Sequence, residues 1–519
     1  MTTGRVPSLL ALVGLLGAVL LGGCGTPSVA GAAPAAERPA QRGAVADFKA
    51  VNQLTWGANT TTFQQFQGAG LDQYLTRQLH PGPARLPPDV QAQIDAMTIS
   101  QRPMIELVQE MAQCRKEAVA LTDDEQKKAA LQAWQRDMSE LGREAATREI
   151  LHALYSPNQI QEQMTWFWMN HFNVFENKAN IRATVGDFEE TAIRPHALGK
   201  FRDLLGAVAH HPAMLVYLDN VQNAAGHINE NYAREIMELH TMGVGSGYSQ
   251  HDVQELARFM TGVGVDFGPQ RPYLMRLPGY EREGAFEFNP RRHDFGPKEF
   301  LGQPIRSHGL AEFDEALDRV ARAPATARFI SHELAVYWLS DNPPPALIER
   351  MAQTFQHSDG DIAATLQTLL TSREFAQSAG RKFKDPMRYV ISAVRLAYND
   401  KTILNVRPML NWLNRMGEPM YGHQTPDGYP LDAASWNSPG QMTTRFEIAR
   451  AIGSGSAGLF KSDDPQPHER AAFPQLANAL YFDAMSKTLS PATRRALDEA
   501  ASPQEWNTLL LSSPEFMNR

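Results

Sequence analysis

The stretch MTWFWMNHF, residues 164–172, decides the fold class and raises the first question about function. At helical spacing its large apolar side chains fall on one wide stripe: Met164, Phe167, Trp168 and Phe172. A stripe of this kind predicts a helix with a buried face. His171 lies inside the stripe, with Asn170 beside it, so its imidazole is either a satisfied core side chain or part of a functional site.

The helical period continues along most of the chain. The run 122–155 begins with a Thr cap and an acidic first turn, and Ser156 followed by Pro157 predicts the start of the next helix. Ser249 followed by Asp252 resembles a capping box. Residues 263–305 are the exception, because alternation and Pro/Gly breaks predict a small β-hairpin or loop excursion there. The predicted fold is mainly α, a large multi-helix globular fold.

Bulk composition excludes one class of partner. The chain has 519 residues, of which 43% are hydrophobic and 20% charged, with a formal net charge of -8. This composition is typical of a globular protein with a sizeable core. Binding to nucleic acid is not expected, since no excess of Lys and Arg is available to replace phosphate counterions.

The N-terminus predicts export and a membrane anchor. Residues 1–23 read as a signal peptide, and Leu21-Gly22-Gly23-Cys24 resembles a bacterial lipobox that leaves Cys24 lipidated. The alternative is a plain secretory signal with a chance cysteine. Residue 25 is Gly and not Asp, which favours the outer membrane, facing the periplasm or the cell surface. Residues 24–46 form an Ala/Pro-rich tether, and 47–519 a helical domain with possible subdomains 47–310 and 311–519.

A predicted helix from Asn229 carries several residues that could do chemistry. Glu230, Arg234 and Glu238 follow at four-residue steps, which predicts either an exposed salt-bridged ladder or one wall of a site. Asn231 and Glu235 define the neighbouring face. His240 falls on the apolar face of the same helix and repeats the question raised by His171.

The loop RRHDFGPKEFLG, residues 291–302, adds His293, Asp294 and Lys298. It is either the rim of a site or a structural turn in which Lys298 or Arg292 pairs with a helix carboxylate. Common catalytic and phosphate-binding motifs are absent from the sequence. One E-x-x-H turn, Glu149 to His152, fits half of a di-iron motif, a spacing that arises easily by chance.

Three long runs carry a family resemblance: residues 161–175, 229–262 and 286–302. Together with 51–82 and the C-terminal LLSSPEFMNR, they resemble the domain-of-unknown-function 1800 family of exported bacterial proteins. The matching polar positions are Asn170, His171, Asn231, Arg234, Glu235, Glu238, His293, Asp294 and Lys298. Many members have Gly-Trp-Pro where this chain has Gly428-Tyr429-Pro430.

The resemblance implies a mostly helical extracytoplasmic protein. It also implies a possible partner, since members are often encoded beside a protein of the domain-of-unknown-function 1501 family, which is similar to sulfatases and alkaline phosphatases. It implies no particular reaction or cofactor.

Two functions from different classes remain open. The first is a membrane-tethered hydrolase or lyase acting on an envelope or extracellular polymer. Its predicted catalytic residues are His171, Glu235, Glu238, His293 and Asp294. Its predicted substrate-binding residues are Asn170, Asn231, Arg234 and Lys298, with Arg234 and Lys298 holding an anionic group. A metal variant would use His171, His293, Asp294 and Glu235, although their spacing carries no ligand signature. The second function is a non-catalytic lipoprotein that binds or scaffolds a partner, such as the 1501-family protein.

Overall fold

A computed structural model describes residues 43–461 and 473–519. These residues belong to one compact unit that includes both sides of residue 310. Cys24, the predicted signal peptide and most of the predicted tether lie outside the described residues. The first helix, Ala44–Leu54, begins three residues before the predicted domain start at 47, because the residues after Gly43 include several alanines, which favour a helix.

The first half of the described chain is built from thirteen α-helices: α1 Ala44–Leu54, α2 Thr60–Ala69, α3 Leu71–Leu79, α4 Pro88–Asp95, α5 Thr98–Gln101, α6 Met104–Ala120, α7 Asp124–Tyr155, α8 Gln159–His171, α9 Ile181–Asp187, α10 Phe201–His210, α11 Pro212–Tyr217, α12 Asn231–Glu235 and α13 Gln250–Phe259. Two π-helical turns interrupt this order: Phe188–Ile193 after α9 and Ile236–Thr241 after α12.

The second half adds eleven more: α14 Leu310–Arg322, α15 Pro324–Trp338, α16 Pro345–His357, α17 Ile362–Leu370, α18 Arg373–Ser378, α19 Pro386–Tyr398, α20 Arg407–Arg415, α21 Pro439–Gly453, α22 Ala479–Asp483, α23 Pro491–Asp498 and α24 Pro503–Leu511. The mainly α prediction is therefore confirmed. No helix among the described residues is long and apolar enough to span a membrane.

The excursion predicted at 263–305 is a pair of small antiparallel sheets. The strands are β1 Val263–Val265, β2 Glu281–Glu283, β3 Phe286–Phe288, β4 Glu299–Phe300 and β5 Gln303–Pro304. The first sheet has the order β1-β3-β2, with Val263 opposite Phe288, and the second joins β4 to β5. Both sheets lie between α13 and α14 in the chain.

Two predicted helix starts need correction. Asp123, and not Thr122, caps α7 by accepting a hydrogen bond from the Gln126 N–H. Ser156 ends α7 instead of starting α8, because its N–H bonds the His152 carbonyl and its hydroxyl accepts the Asn158 N–H. The next helix therefore begins only at Gln159. The capping box of Ser249 and Asp252 at the start of α13 is present as predicted.

Helix α8 lies in the centre of the main hydrophobic core. Trp168 and Phe172 are fully buried, and the Trp168 indole donates to the Ala197 carbonyl at 3.0 Å. On the same helix, the buried Gln163 amide donates to the Leu54 carbonyl at 2.9 Å, and its oxygen accepts from Arg388 of α19. Because both its nitrogen and its oxygen are hydrogen-bonded, this amide fixes α8 against α1 and α19. The packing of α8 in the core therefore sets the position of His171.

The predicted helix from Asn229 is not continuous. Only α12 is α-helical, and it passes into the π-helical turn, where the Met242 N–H bonds the Met237 carbonyl at 3.1 Å. The Thr241 hydroxyl also bonds the Ile236 carbonyl, five residues earlier, at 2.6 Å. Such turns rotate the following side chains relative to an α-helix and occur often at functional sites. This turn carries Glu238 and His240.

Candidate functional site

His171 is the last residue of α8, and one ring nitrogen is held by the neighbouring π-helical turn. Its Nε2 lies 3.1 Å from the carbonyl oxygen of His240. A carbonyl can only accept, so Nε2 carries the hydrogen and the neutral ring has its lone pair on Nδ1. Burial lowers the pKa of His171, against the opposing effects of this hydrogen bond and of the Glu333 charge. The imidazole is therefore neutral at neutral pH.

A pocket of about 130 Å³ lies beside this ring. Its walls include three aromatic or amide side chains from the first half of the chain and three side chains from the second: Phe167, Asn170, His171, Phe329, Glu333 and Asp427. None of the described residues forms a hydrogen bond with His171 Nδ1. The fold does not enclose this atom. An imidazole lone pair and two carboxylates thus share one small concave space.

Glu235, the last residue of α12, is the predicted catalytic residue on the neighbouring helix. Its carboxylate forms no hydrogen bond or ion pair with the described residues and is half-buried. Burial raises its pKa, with further contributions from the negative charges of Glu238 and Asp427 and an opposing one from Arg234. Glu235 does not line the pocket, and no hydrogen bond, ion pair or ring contact among the described residues joins it to His171; its link to the pocket is the charge of Asp427.

A loop covers one side of the pocket and is held by Asn170. The Asn170 amide donates to the Tyr429 carbonyl at 2.9 Å and accepts from the Tyr429 N–H at 2.7 Å. Gly428 approaches so closely that an added Cβ would overlap the Asn170 carbonyl oxygen. Asn173 ties the same loop through the carbonyls of His423 and Thr425, at 3.0 and 2.7 Å. The structure therefore gives the Asn170 side chain, predicted to bind substrate, a bond to backbone at both ends of its amide.

The predicted ladder on the Asn229 helix is a row of ion pairs. Arg234 donates to Glu230 at 3.0 Å and to Glu238 at 3.2 Å, and also to Gln250 at 3.0 Å. Asn231 donates to the Leu218 carbonyl at 3.1 Å. These contacts fit a salt-bridged ladder better than the wall of a site, because each of these polar groups has a partner within the fold.

His293, Asp294 and Lys298 form a second cluster between α13 and α14. The Lys298 ammonium is buried and donates to the Glu312 carboxylate at 2.5 Å, and His293 Nε2 lies 3.4 Å from the same carboxylate. The Arg258 guanidinium donates to Asp294 at 2.8 Å and holds the pKa of Asp294 at about 2. Lys298 thus pairs with a helix carboxylate, the turn arrangement considered in the sequence analysis.

The predicted site is consequently divided. Among the described residues, no hydrogen bond, ion pair or ring contact joins the cluster of His293, Asp294 and Lys298 to His171 or Glu235. The metal set drawn from both clusters is not assembled, and no group of three or more His, Cys, Asp or Glu in the described ranges could hold a metal ion. The division arises because long-range ion pairs to Arg258 and Glu312, invisible in local spacing, hold the loop.

His240 is buried, but it is not satisfied. Neither ring nitrogen has a hydrogen-bond partner among the residues the structure covers. The ring packs edge-on against Phe172, with centroids 5.0 Å apart, and lies 6.0 Å from the ring of His171. Burial and the neighbouring His171 lower the pKa of His240 far below its usual value. Its ring is a neutral packing element, while its carbonyl positions His171.

Several functional-looking residues escaped the sequence reasoning. Glu333 and Asp427 come from helix α15 and a distant loop, and their spacing gives no signal.

A second buried group surrounds Arg194, which pairs with Glu149 at 2.6 Å, with Glu189 at 2.8 Å and with Glu162. Burial and the charge of Glu149 raise the pKa of Glu189 well above its usual value. In the sequence, the E-x-x-H turn that begins at Glu149 is the one feature that points to this group. In the structure, an arginine lies at the centre of the group, which gives it a structural role.

Comparison with known proteins gives one match. A family model described as "Protein of unknown function (DUF1800)" matches residues 49–518. No curated protein and no solved structure matches the chain.

Proposed function

The chain belongs to the DUF1800 family, and we propose that it is a membrane-tethered extracytoplasmic hydrolase in which His171 is the general base. The observation that supports this proposal is the ring of His171, which lines a pocket with two carboxylates and has no hydrogen bond at Nδ1 from the described residues. A neutral imidazole whose pKa lies below the working pH is ready to accept a proton from water. The tether is the proposed lipid on Cys24, in the outer membrane.

Glu333 acts through His171. Its negative charge favours the protonated ring, so it stabilises the imidazolium that forms when Nδ1 takes a proton from the attacking water. The His171 imidazolium then gives this proton to the leaving group as its bond to the substrate breaks, so the proton balance closes on one residue. Asp427 lines the same pocket and would contact the substrate. Glu235 acts on this pocket only through the mutual repulsion between its charge and that of Asp427.

The charge of the pocket limits the class of substrate that the pocket can bind. The pocket is lined by carboxylates and contains no Lys or Arg among its described lining residues. Arg234 and Lys298, which the sequence analysis assigned to an anionic group, are engaged with glutamates instead. A lyase that removes a proton next to a substrate carboxylate needs a cation to hold that group, so hydrolysis is favoured. The proposed substrate is a neutral or amine-bearing envelope polymer.

The test compares His171→Gln with His210→Gln. Glutamine retains an N–H donor for the His240 carbonyl but has no basic lone pair, so folding should survive while activity falls. His210, on α10, is a half-buried histidine outside this pocket. We expect the wild-type protein to release new chain ends from chitin or chitosan, which stand for neutral and amine-bearing polymers, and His171→Gln to lose about 10²–10⁴-fold of that rate. Equal rates in wild type and His171→Gln would contradict the proposal.

A scaffolding function has its own support. Asn170, Lys298 and Arg234 all make bonds within the fold, which is what a network fixing helices around loops requires. In this second proposal the protein binds a partner such as a DUF1501-family protein at the envelope. Co-purification of the two proteins, unchanged by His171→Gln, together with no polymer cleavage by the wild type, would favour it.

Anchoring is tested separately from activity. Palmitate labelling of the expressed protein, lost in Cys24→Ser, would support lipidation at Cys24. Release of the Cys24→Ser protein from the outer-membrane fraction would support the proposed location. An unlabelled wild-type protein would favour a plain secretory signal.

A further inference from the structure

A large apolar groove lies on the α6–α7 hairpin, away from the His171 pocket. Helices α6 and α7 are joined by three residues, 121–123, and therefore run antiparallel. Between them and α9 lies a small hydrophobic core that is separate from the main one: Leu107, Val108, Met111, Met138, Leu141 and Ala183. A groove of about 960 Å³ opens from this small core to the surface.

The groove walls are apolar, and they contain one buried donor. Side chains that line it include Val108, Met111, Val119, Trp134 and Phe267. Val119 is half exposed, which leaves apolar surface uncovered at the rim. The indole N–H of Trp134 is enclosed and has no acceptor among the described residues. Because this N–H is enclosed, a ligand in the groove would contact the Trp134 ring and not its N–H.

The rim carries two basic side chains that form no ion pair with the described residues. Arg115 and Lys116 line the groove, and neither forms an ion pair or a hydrogen bond with the residues that the structure describes. Arg115 lies over the Trp134 ring, 5.5 Å from its centroid. The glutamates flanking them on α6 are engaged: Glu110 pairs with Arg102 at 2.6 Å, and Glu117 accepts from Gln113 at 2.6 Å.

We propose that this groove binds the anion of a long-chain fatty acid. The alkyl chain would cover the apolar wall between α6 and α7, and the carboxylate would lie at the rim beside Arg115 and Lys116. The volume is within the range of about 300–1,000 Å³ that is usual for small-molecule sites. The combination of an apolar wall and two cations without ion-pair partners in the described part of the chain fits an anionic amphiphile better than a neutral one. No residue of the groove is shared with the His171 pocket, so this inference does not depend on the proposed hydrolase activity.

The experiment measures displacement of a dansylated fatty acid from the full-length protein. Palmitate is the competitor, and hexadecanol, which has the chain but no charge, is its matched control. We expect saturable binding of the probe, displacement by palmitate, and weaker displacement by hexadecanol. Each exposed charge contributes about 0.2–1 kcal/mol, so Arg115→Gln and Lys116→Gln should each weaken palmitate binding up to about five-fold.

Two further variants locate the site. Ala112 lines the groove and is exposed, so Ala112→Trp fills the groove without entering the core and should abolish probe binding. Lys128→Gln removes an exposed positive charge from α7 outside the groove and should leave binding unchanged. If Ala112→Trp fails to fold by circular dichroism, the Arg115 and Lys116 variants still decide. Absence of saturable binding, equal displacement by hexadecanol, or undiminished binding in folded Ala112→Trp would each overturn the proposal.

Discussion

Gly428→Ala should loosen the loop over the His171 pocket by an amount that the structure allows to be worked out. Gly428 has φ of +71°, and an added Cβ would overlap the Asn170 backbone oxygen and lie 2.8 Å from its side-chain oxygen. Alanine in the left-handed region costs about 1 kcal/mol. Moving the loop away also breaks the two Asn170–Tyr429 hydrogen bonds, at about 1 kcal/mol each. The expected local loss is therefore about 3 kcal/mol.

Gly279→Ala is the matched control for backbone strain. Gly279 has a similar φ of +77° and is exposed, but nothing lies within 4 Å of its added Cβ. It should cost only the strain of about 1 kcal/mol. The assay is hydrogen exchange by mass spectrometry on the peptide that contains Tyr429, together with urea denaturation of both variants. Protection of the Tyr429 amide should fall in Gly428→Ala by a factor that corresponds to about 2–3 kcal/mol, and it should not change in Gly279→Ala. Equal effects of the two substitutions on urea stability, with Tyr429 still protected, would refute the reasoning.

Four further predictions concern stability, each read from urea denaturation unless stated. Lys298→Met leaves the Glu312 carboxylate buried without its ammonium and should cost about 3–5 kcal/mol, whereas pairing it with Glu312→Leu should recover much of that loss. Asp294 has a pKa of about 2, below its ordinary 3.8, so its contribution is present above about pH 4 and is lost as the pH falls towards 2; Asp294→Asn should flatten the wild-type decline in this window. Ser249→Ala removes the capping box of α13 and should lower stability by about 1 kcal/mol in thermal denaturation. His240→Phe removes two buried nitrogens without partners and should be neutral or stabilising; a large loss would show that the nitrogens do have partners.

The fold class follows from local patterns, and so do its best-predicted details. A helical period is encoded over any ten to fifteen residues, and the Ser249–Asp252 capping box is a contact between residues three apart. The predicted helix bounds were wrong where one sequence pattern allows two local structures. Ser156 can either start a helix or end one, and tertiary packing of α7 selects the end. The π-helical turn after Glu235 has the same hydrophobic pattern as an α-helix, so the sequence has no signal for it.

The candidate site was only partly predictable, for a physical reason. His171 was identified because an imidazole in an apolar stripe is locally unusual. Its pocket partners Glu333 and Asp427 belong to segments far along the chain, and only the folded core brings them together. The His293 loop is the opposite case, because its local pattern indicates a site while its long-range contacts are structural. Its charges resemble a site, yet their partners Arg258 and Glu312 satisfy them within the fold.

The geometry of His171 separates a structural role from a chemical one. The His240 carbonyl lies near the end of a helical segment and has no backbone N–H partner, as is usual for the last carbonyls of a helix. The Nε2–H of His171 satisfies it, so this hydrogen bond is explained by folding alone. A glutamine or asparagine could donate the same bond. Packing gives no reason for a free Nδ1 beside the carboxylates of Glu333 and Asp427. In the proposed function, catalysis therefore depends on that nitrogen, and His171→Gln is the variant that removes it while keeping the donor.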